Sequence, residues 1–189
     1  MRILLRVAVI GVIAALVLVV LDYAELLVWP AQHKVAMASA IPSCGGRVVA
    51  EGLTYKFSDP DPGDVVVIHA ARGPDRRIIP DKDATDIDLV LRVAAGPNDA
   101  IIGRDGAVFV NGVKFDEIET APFEKVTLGG DQYFVLGDNR TAALDSRDFG
   151  PVLRDDIYAR ALFAVWPIRD FGLLGDRQAG APPGPAGCK

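Results

Sequence analysis

The chain has 189 residues, half of them hydrophobic, with a net charge of −5 and a pI near 5.0. This length fits one domain, or one domain with an anchor. The acidic balance argues against a nucleic-acid partner, because the chain offers no basic surface to displace counterions from phosphates. The two cysteines lie far apart in sequence and the two histidines belong to no ligand motif. The sequence therefore predicts no disulfide framework, no metal site and no cofactor.

An uninterrupted apolar run, Val7 to Leu21, follows Arg2 and Arg6. A membrane-spanning helix needs about 20 residues, and arginines on the N-terminal flank predict a cytoplasmic N-terminus with the main domain outside the cell membrane. We therefore predict a single-pass anchor in the lipid bilayer over residues 1–29. A cleavable signal peptide is the alternative, but the A-x-A pattern at Ala36-Met37-Ala38 lies well downstream of the apolar run.

Short apolar runs separated by turn residues fill residues 30–172 and predict a mainly β, antiparallel, extracytoplasmic domain. Asn111-Gly112 is a strong hairpin signal, and Arg72 to Asp86 is charged and proline-broken, which predicts a loop. Residues 173–189 are rich in Gly, Pro and Ala and are predicted to be disordered. The predicted strands are Arg47–Glu51, Thr54–Phe57, Val65–Ile68, Ile87–Val93, Ala100–Ile102, Ala107–Val110, Val113–Phe115, Gln132–Leu136 and Ile157–Trp166.

A polar loop follows the predicted strand Gln132–Leu136. A surface turn is the simplest interpretation of such a composition. Its glycine and asparagine tolerate a positive φ, and its aspartates and arginines can fix a loop through charge-assisted hydrogen bonds. We therefore predict an ordered loop, which we call the signature loop, containing Gly137, Asp138, Asn139, Arg140, Asp145, Ser146 and Arg147.

The order of these pieces resembles the type I signal peptidases, or leader peptidases, which are membrane-anchored serine endopeptidases that remove signal peptides from exported proteins. Pro62–Ile68 resembles the Gly-Asp strand of that family, and Tyr133–Val152 closely resembles its last signature. The resemblance covers roughly Ser39 to Pro167. It implies a signal-peptidase-like antiparallel β domain with one N-terminal transmembrane helix, and signal peptides of exported preproteins as partners.

The resemblance also implies a Ser-Lys dyad, in which a serine attacks the peptide carbonyl and a buried neutral lysine takes its proton. Ser39-Ala40-Ile41-Pro42-Ser43 is similar to the Ser-Met-x-Pro-Thr motif of the family, so Ser39 is the expected nucleophile. Ser43 could occupy that position in a neighbouring register. Met37 stands where some members carry a hydroxyl that helps to hold the oxyanion, so backbone N–H groups would form the hole.

The base position departs from the family pattern. The stretch Leu91-Arg92-Val93 through Asp99 corresponds to the segment that the lysine opens, which puts Leu91 in the place of the lysine. Leucine cannot accept a proton, and the Arg92 guanidinium stays charged at any working pH. The serine that contacts the lysine corresponds to Ala143. We interpret Leu91 and Ala143 as a degenerate base site that has become apolar.

Three functions follow as alternatives. A working signal peptidase would need a base from elsewhere, with Lys82 and Lys34 as candidates, although neither stands in a context that predicts burial. A pseudo-peptidase would bind extended peptides by strand addition without cleaving them, since loss of a general base costs about 10²- to 10⁴-fold in rate. A membrane-tethered β domain with an unrelated role is the third alternative.

Overall fold

The computed structural model describes residues 6, 9–17, 27–30, 47–72, 78–83, 87–166 and 172–174. Residues 9–17 are helical and form α1. No helix within these ranges is long and apolar enough to span a bilayer, so the anchor stays a prediction. Ser39, Ser43, Met37, Lys34 and the tail from residue 175 lie outside the described residues.

The fold is mainly antiparallel β, as the sequence predicts. The larger sheet is built from β1 (Leu27–Pro30), β2 (Arg47–Glu51), β3 (Val65–Arg72), β4 (Ile78–Pro80), β5 (Ile87–Ala95), β10 (Gln132–Leu136), β11 (Val152–Leu153), β12 (Ile157–Trp166) and β13 (Gly172–Leu173). Its main path runs β1-β2-β12-β3-β5-β10-β11, with β13 on β12 and β4 on β3. Every pairing is antiparallel.

A smaller sheet has the order β8-β7-β6-β9, formed by β6 (Ala100–Arg104), β7 (Ala107–Val110), β8 (Val113–Lys114) and β9 (Phe123–Thr127). The turn between β7 and β8 is the predicted one: Asn111 and Gly112 both take positive φ, at 50° and 84°, as a two-residue hairpin with the twist of its strands requires.

Two expectations about the chain after β2 are wrong. Thr54–Lys56 is a 3-10 turn rather than a strand, because the Thr54 N–H donates to Glu51 Oε2 at 2.9 Å and Phe57 N–H donates back to the Thr54 carbonyl. The sequence predicts a loop for residues 72–86, but Ile78–Pro80 within them form β4. The short helix α2 (Ser146–Phe149) begins inside the signature loop.

The core lies on both faces of the larger sheet. One apolar cluster, on the first face, contains Leu91 together with Val66, Tyr133 and Val135. A second cluster, with Val67 and Val90, covers the opposite face, since alternate residues of a strand point to opposite sides.

A third cluster joins the two sheets, where Phe123 of β9 stacks on Phe134 of β10 with ring centroids 5.4 Å apart. Gly103 makes this packing possible, because a Cβ there would lie 2.3 Å from the Phe123 ring.

Candidate functional site

The signature loop is fixed to β5 by a buried ion pair. Arg92 Nε and Nη2 donate to the two carboxylate oxygens of Asp138, both at 2.9 Å, and Arg92 Nη1 donates to the Gly63 carbonyl at 2.8 Å. The two side chains are only 4% and 1% exposed. A bidentate pair of this kind fixes orientation as well as distance. Arg92, the residue next to Leu91, therefore connects β5 to the signature loop and to the turn just before β3.

Asp145 organises the second half of the loop. Its buried carboxylate accepts from the Gly137 N–H at 2.9 Å and from Arg147 Nε and Nη2, both at 2.8 Å. It also caps α2 by accepting from the Arg147 N–H, while Asp148 accepts from the Asp145 N–H, which is a reciprocal capping box. Burial lowers the pKa of Arg147, but the hydrogen bonds and charge of Asp145 and the charge of Asp148 outweigh it and raise the pKa overall.

Arg140 connects the signature loop to the segment between β8 and β9 of the smaller sheet. Its Nε donates to the Gly137 carbonyl at 3.0 Å and its Nη1 donates to Thr120 Oγ1 at 2.8 Å. Its Nη2 pairs with Asp116. The prediction that the aspartates and arginines of this loop fix it through charge-assisted hydrogen bonds is confirmed.

Gly137 and Asn139, whose residue types tolerate a positive φ, do not adopt one here. The left-handed position of this loop is Gly150, at φ 88°, where the chain leaves α2. Asn139 instead closes a turn, since its carbonyl accepts from the Ala143 N–H at 2.8 Å. Ser146 serves the backbone too, because its Oγ accepts from the Val135 N–H at 3.0 Å.

Leu91 and Ala143 belong to the same apolar cluster. Leu91 is fully buried opposite Val66, and Ala143 packs against the cluster that contains it. The two positions inferred to be the degenerate base site thus lie in the same apolar cluster. Neither side chain can accept a proton, so these two positions supply no base.

Lys82, one of the two alternative bases, lies at the surface. Its Nζ is 3.7 Å from Asp155 Oδ2, and the two side chains are 56% and 74% exposed. Lys82 therefore lacks the buried, apolar setting that a lysine base requires. Lys34 and the expected nucleophile Ser39 lie outside the described residues.

Two buried tyrosines, Tyr55 and Tyr133, belong to the cluster that contains Leu91. Burial raises the pKa of Tyr55, and the charge of Asp64 and the hydrogen bond from Tyr55 Oη to Asp64 Oδ2, at 3.0 Å, raise it further. Burial also raises the pKa of Tyr133, with the charge of Asp59 as the next cause. Both phenols are therefore neutral hydrogen-bond donors at physiological pH.

Strand β5 offers an open edge beside this site. Residues 87–92 pair with β3 on one side, whereas β10 pairs only with residues 92–95 on the other. Among the residues that the structure describes, no strand covers the second side of residues 87–91. A strand edge without a neighbouring strand can accept an added one.

Sequence reasoning missed two side-chain pairs that the register of β5 creates. One is Arg92–Asp138, and the other is His69–Asp88, in which Nδ1 and Oδ1 are 2.8 Å apart. Their partners are 46 and 19 residues apart in sequence. Predicting these pairs would have required the correct register of β5 against β3 and β10. No group of three or more metal-ligating side chains occurs in the described part of the chain.

Comparison with known proteins gives a consistent family. The family model described as "Signal peptidase, peptidase S26" matches residues 4–166. A probable signal peptidase I-2 of Synechocystis sp. is 33% identical over 135 residues, which is 69% of this chain and 59% of that protein. A signal peptidase I of Leptolyngbya laminosa is 32% identical over 136 residues, 68% of this chain and 64% of that protein. This chain thus spans less than two thirds of the length of both relatives.

Two further matches come from Arabidopsis thaliana and Enterococcus faecalis. A mitochondrial ATP-independent inner membrane protease subunit 1b of Arabidopsis thaliana is 31% identical over 140 residues, covering 74% of this chain and 70% of that protein. The crystal structure of a signal peptidase I from Enterococcus faecalis V583 has a TM-score of 0.42 and 22% identity, covering 55% of this chain and 97% of that one. On the family match over residues 4–166, this chain belongs to the signal peptidase family, peptidase S26.

Proposed function

We propose that this protein is a membrane-anchored serine endopeptidase of the signal peptidase I type, which removes signal peptides from exported proteins. The observation that carries the proposal is the family match over residues 4–166. The open edge of β5 beside the signature loop supports it, because a strand-shaped peptide could be held there by main-chain hydrogen bonds.

In this proposal Ser39 is the nucleophile and the apolar run before it is the anchor, with the N-terminus in the cytoplasm. The peptide lies extended along residues 87–91, and its side chains alternate between the faces of Leu91 and Val90. Backbone N–H groups near Ser39 stabilise the oxyanion. A base other than residue 91 must take the proton of the serine, because leucine has no lone pair to offer.

The test is cleavage of a peptide with alanine one and three residues before the scissile bond, by the full chain in detergent. We expect cleavage by the unsubstituted protein and none by Ser39→Ala. Ser58→Ala is the matched control, since the Ser58 hydroxyl is exposed and donates only to the Thr54 carbonyl. If Ser43→Ala abolishes cleavage and Ser39→Ala does not, the nucleophile lies in the neighbouring register.

One observation favours a second candidate, a pseudo-peptidase that binds extended peptides without cleaving them. Leu91 is fully buried and shares its apolar cluster with Ala143, which supports the inferred replacement of the family's base by an apolar side chain. In the same assay this candidate predicts peptide binding with no turnover, for the unsubstituted protein and Ser39→Ala alike. Absence of both binding and cleavage would contradict both candidates.

A further inference from the structure

The tip of the β7–β8 hairpin is held to the turn after β5 by the side chains of Asn111 and Asp99. Asn111 Nδ2 donates to Asp99 Oδ1 at 2.7 Å, and Asn111 Oδ1 accepts from the Ala100 N–H at 2.9 Å. The other carboxylate oxygen of Asp99 accepts from the Gly96 N–H at 2.9 Å. Asp99 therefore connects the end of β5 to the smaller sheet through both of its oxygens.

Asn111 is followed by glycine, and this order permits a reaction between its side chain and the backbone. The nitrogen of the next residue attacks Cγ of an asparagine, the Cγ–Nδ2 bond breaks, and ammonia leaves with the proton of the attacking nitrogen. Water then opens the cyclic imide at either carbonyl and leaves aspartate or isoaspartate. A following glycine favours the attack because it has no Cβ to hinder the approach.

The surroundings of the turn leave this reaction accessible to water. Asn111 and Gly112 are both exposed, and a Cβ placed on Gly112 would meet no atom within 4 Å. The remaining obstacle is the hydrogen bonding of the Asn111 amide. Nδ2 departs during the reaction, so its bond to Asp99 must break, and a bond to a carboxylate is stronger than one between neutral groups.

The product of the reaction places two like charges where the turn now has a donor and an acceptor. A carboxylate at position 111 only accepts hydrogen bonds, and one of its oxygens takes the place of Nδ2, 2.7 Å from Asp99 Oδ1. Two carboxylates at this separation repel each other. Isoaspartate also routes the main chain through Cβ and Cγ, which lengthens a two-residue turn whose geometry matches the twist of its strands.

We propose that Asn111 is a deamidation site protected by Asp99, and that its conversion to aspartate or isoaspartate releases the hairpin tip from the turn after β5. Because ammonia is lost to the solvent, the reaction is irreversible and the converted fraction rises with the age of the chain. The proposal involves neither Ser39 nor the edge of β5, so its failure leaves the proposed function unchanged.

The first test is the rate of deamidation in the folded full chain, followed by peptide mapping and mass spectrometry during incubation at mildly alkaline pH. The other two asparagines, Asn98 and Asn139, are internal controls because aspartate and arginine follow them. We expect Asn111 to convert faster than both. Asp99→Ala should speed conversion at Asn111 by about two- to tenfold, the factor that corresponds to the loss of one hydrogen bond.

Glu124→Ala is the matched control for this rate, because it removes an exposed carboxylate of β9 and should leave conversion at Asn111 unchanged. Melts followed by circular dichroism establish that each variant is folded. Conversion at Asn111 no faster than at Asn98 and Asn139 would overturn the site. An unchanged or slower rate in folded Asp99→Ala would overturn the protection by Asp99.

The second test uses Asn111→Asp as a mimic of the product. We expect it to lower the melting temperature by about 2–8 °C and to speed amide hydrogen exchange in residues 96–115, with no change in β3 and β12. Adding Asp99→Asn exchanges the donor and the acceptor of the pair, so most of the lost melting temperature should return. Native stability and exchange in Asn111→Asp, or no recovery in the double variant, would overturn release by charge repulsion.

Discussion

The signature loop and the face of β5 at Leu91 meet in the same part of the larger sheet, but the loop is held by charged side chains and the face of β5 by apolar packing. In the loop, each of Asp138, Arg140, Asp145 and Arg147 is buried or nearly so and has a charged partner. At Leu91 the neighbours are aliphatic and aromatic, and Ala143 reaches that cluster from the loop itself.

The residues that fix the backbone here are therefore different from the residue inferred to occupy the base position. The ion pairs hold the backbone of the loop and of β5 in place, and none of them uses the side chain at position 91. A lysine in the family pattern can therefore become leucine while the frame around it persists. The same frame leaves one side of residues 87–91 without a neighbouring strand among the described residues, so the proposed peptide binding does not depend on the side chain at position 91.

The largest effect is expected from restoring a base to the apolar face. In Leu91→Lys with Ala143→Ser, burial would lower the pKa of the new lysine and favour its neutral form. For the pseudo-peptidase candidate, which has no base, we expect kcat/KM for the alanine peptide to rise by about 10²- to 10⁴-fold over the unsubstituted chain, which is the usual contribution of a general base.

Leu91→Gln with Ala143→Ser is the control for this gain, because it adds polarity without a base. A folded Leu91→Lys, Ala143→Ser protein with no gain would contradict the assignment of residue 91 as the degenerate base position.

The next effect concerns the frame. Asp138→Ala leaves the Arg92 guanidinium buried without its carboxylate, which typically costs about 3–5 kcal/mol in the free energy of unfolding. Urea denaturation followed by circular dichroism measures this loss. Glu117→Ala is the control: it removes the partner of Lys114 at the surface, where such pairs contribute about 0–1 kcal/mol. Equal losses in the two variants would show that the buried pair does not hold the frame.

A slightly smaller loss is expected when the apolar face is truncated. Leu91→Ala should lower the free energy of unfolding by about 2–5 kcal/mol, through lost burial and the cavity left behind. Leu153→Ala on β11 is the matched control, because that leucine is half exposed. If Leu91→Ala lowers the free energy of unfolding no more than Leu153→Ala does, the face at Leu91 is not close-packed. The inference that the base site has become part of the core would then be wrong.

The smallest effect is a change in alkaline stability. The pKa of Tyr55 is raised on folding by burial and by Asp64, so its contribution is complete below the unfolded value of about 10 and is lost as the pH rises above it. Tyr55→Phe should flatten the decline in melting temperature above about pH 10 and leave the slope at neutral pH unchanged. An unchanged decline would show that Tyr55 ionises without cost to the fold.

Local sequence patterns predicted much of the β framework. Asn111-Gly112 specified its hairpin, because both residues accept positive φ, and the apolar runs specified β3, β5, β10 and β12. The pattern gave the wrong element where a side-chain hydrogen bond fixes the backbone conformation, as at Thr54, whose N–H donates to the Glu51 carboxylate. It missed β9, where Glu124 and Lys125 interrupt the apolar signal, and the four-residue helix α2, which is fixed by capping rather than by periodicity.

The sequence by itself determined the family, the antiparallel β class and the absence of lysine and serine at positions 91 and 143, because these depend on residue identities and their order along the chain. The tertiary structure decided what those identities do. Strand register brings Arg92 to Asp138, His69 to Asp88 and Leu91 into the cluster with Ala143. Such contacts join residues far apart in sequence, and a shift of one residue in β5 would turn each of these side chains to the other face.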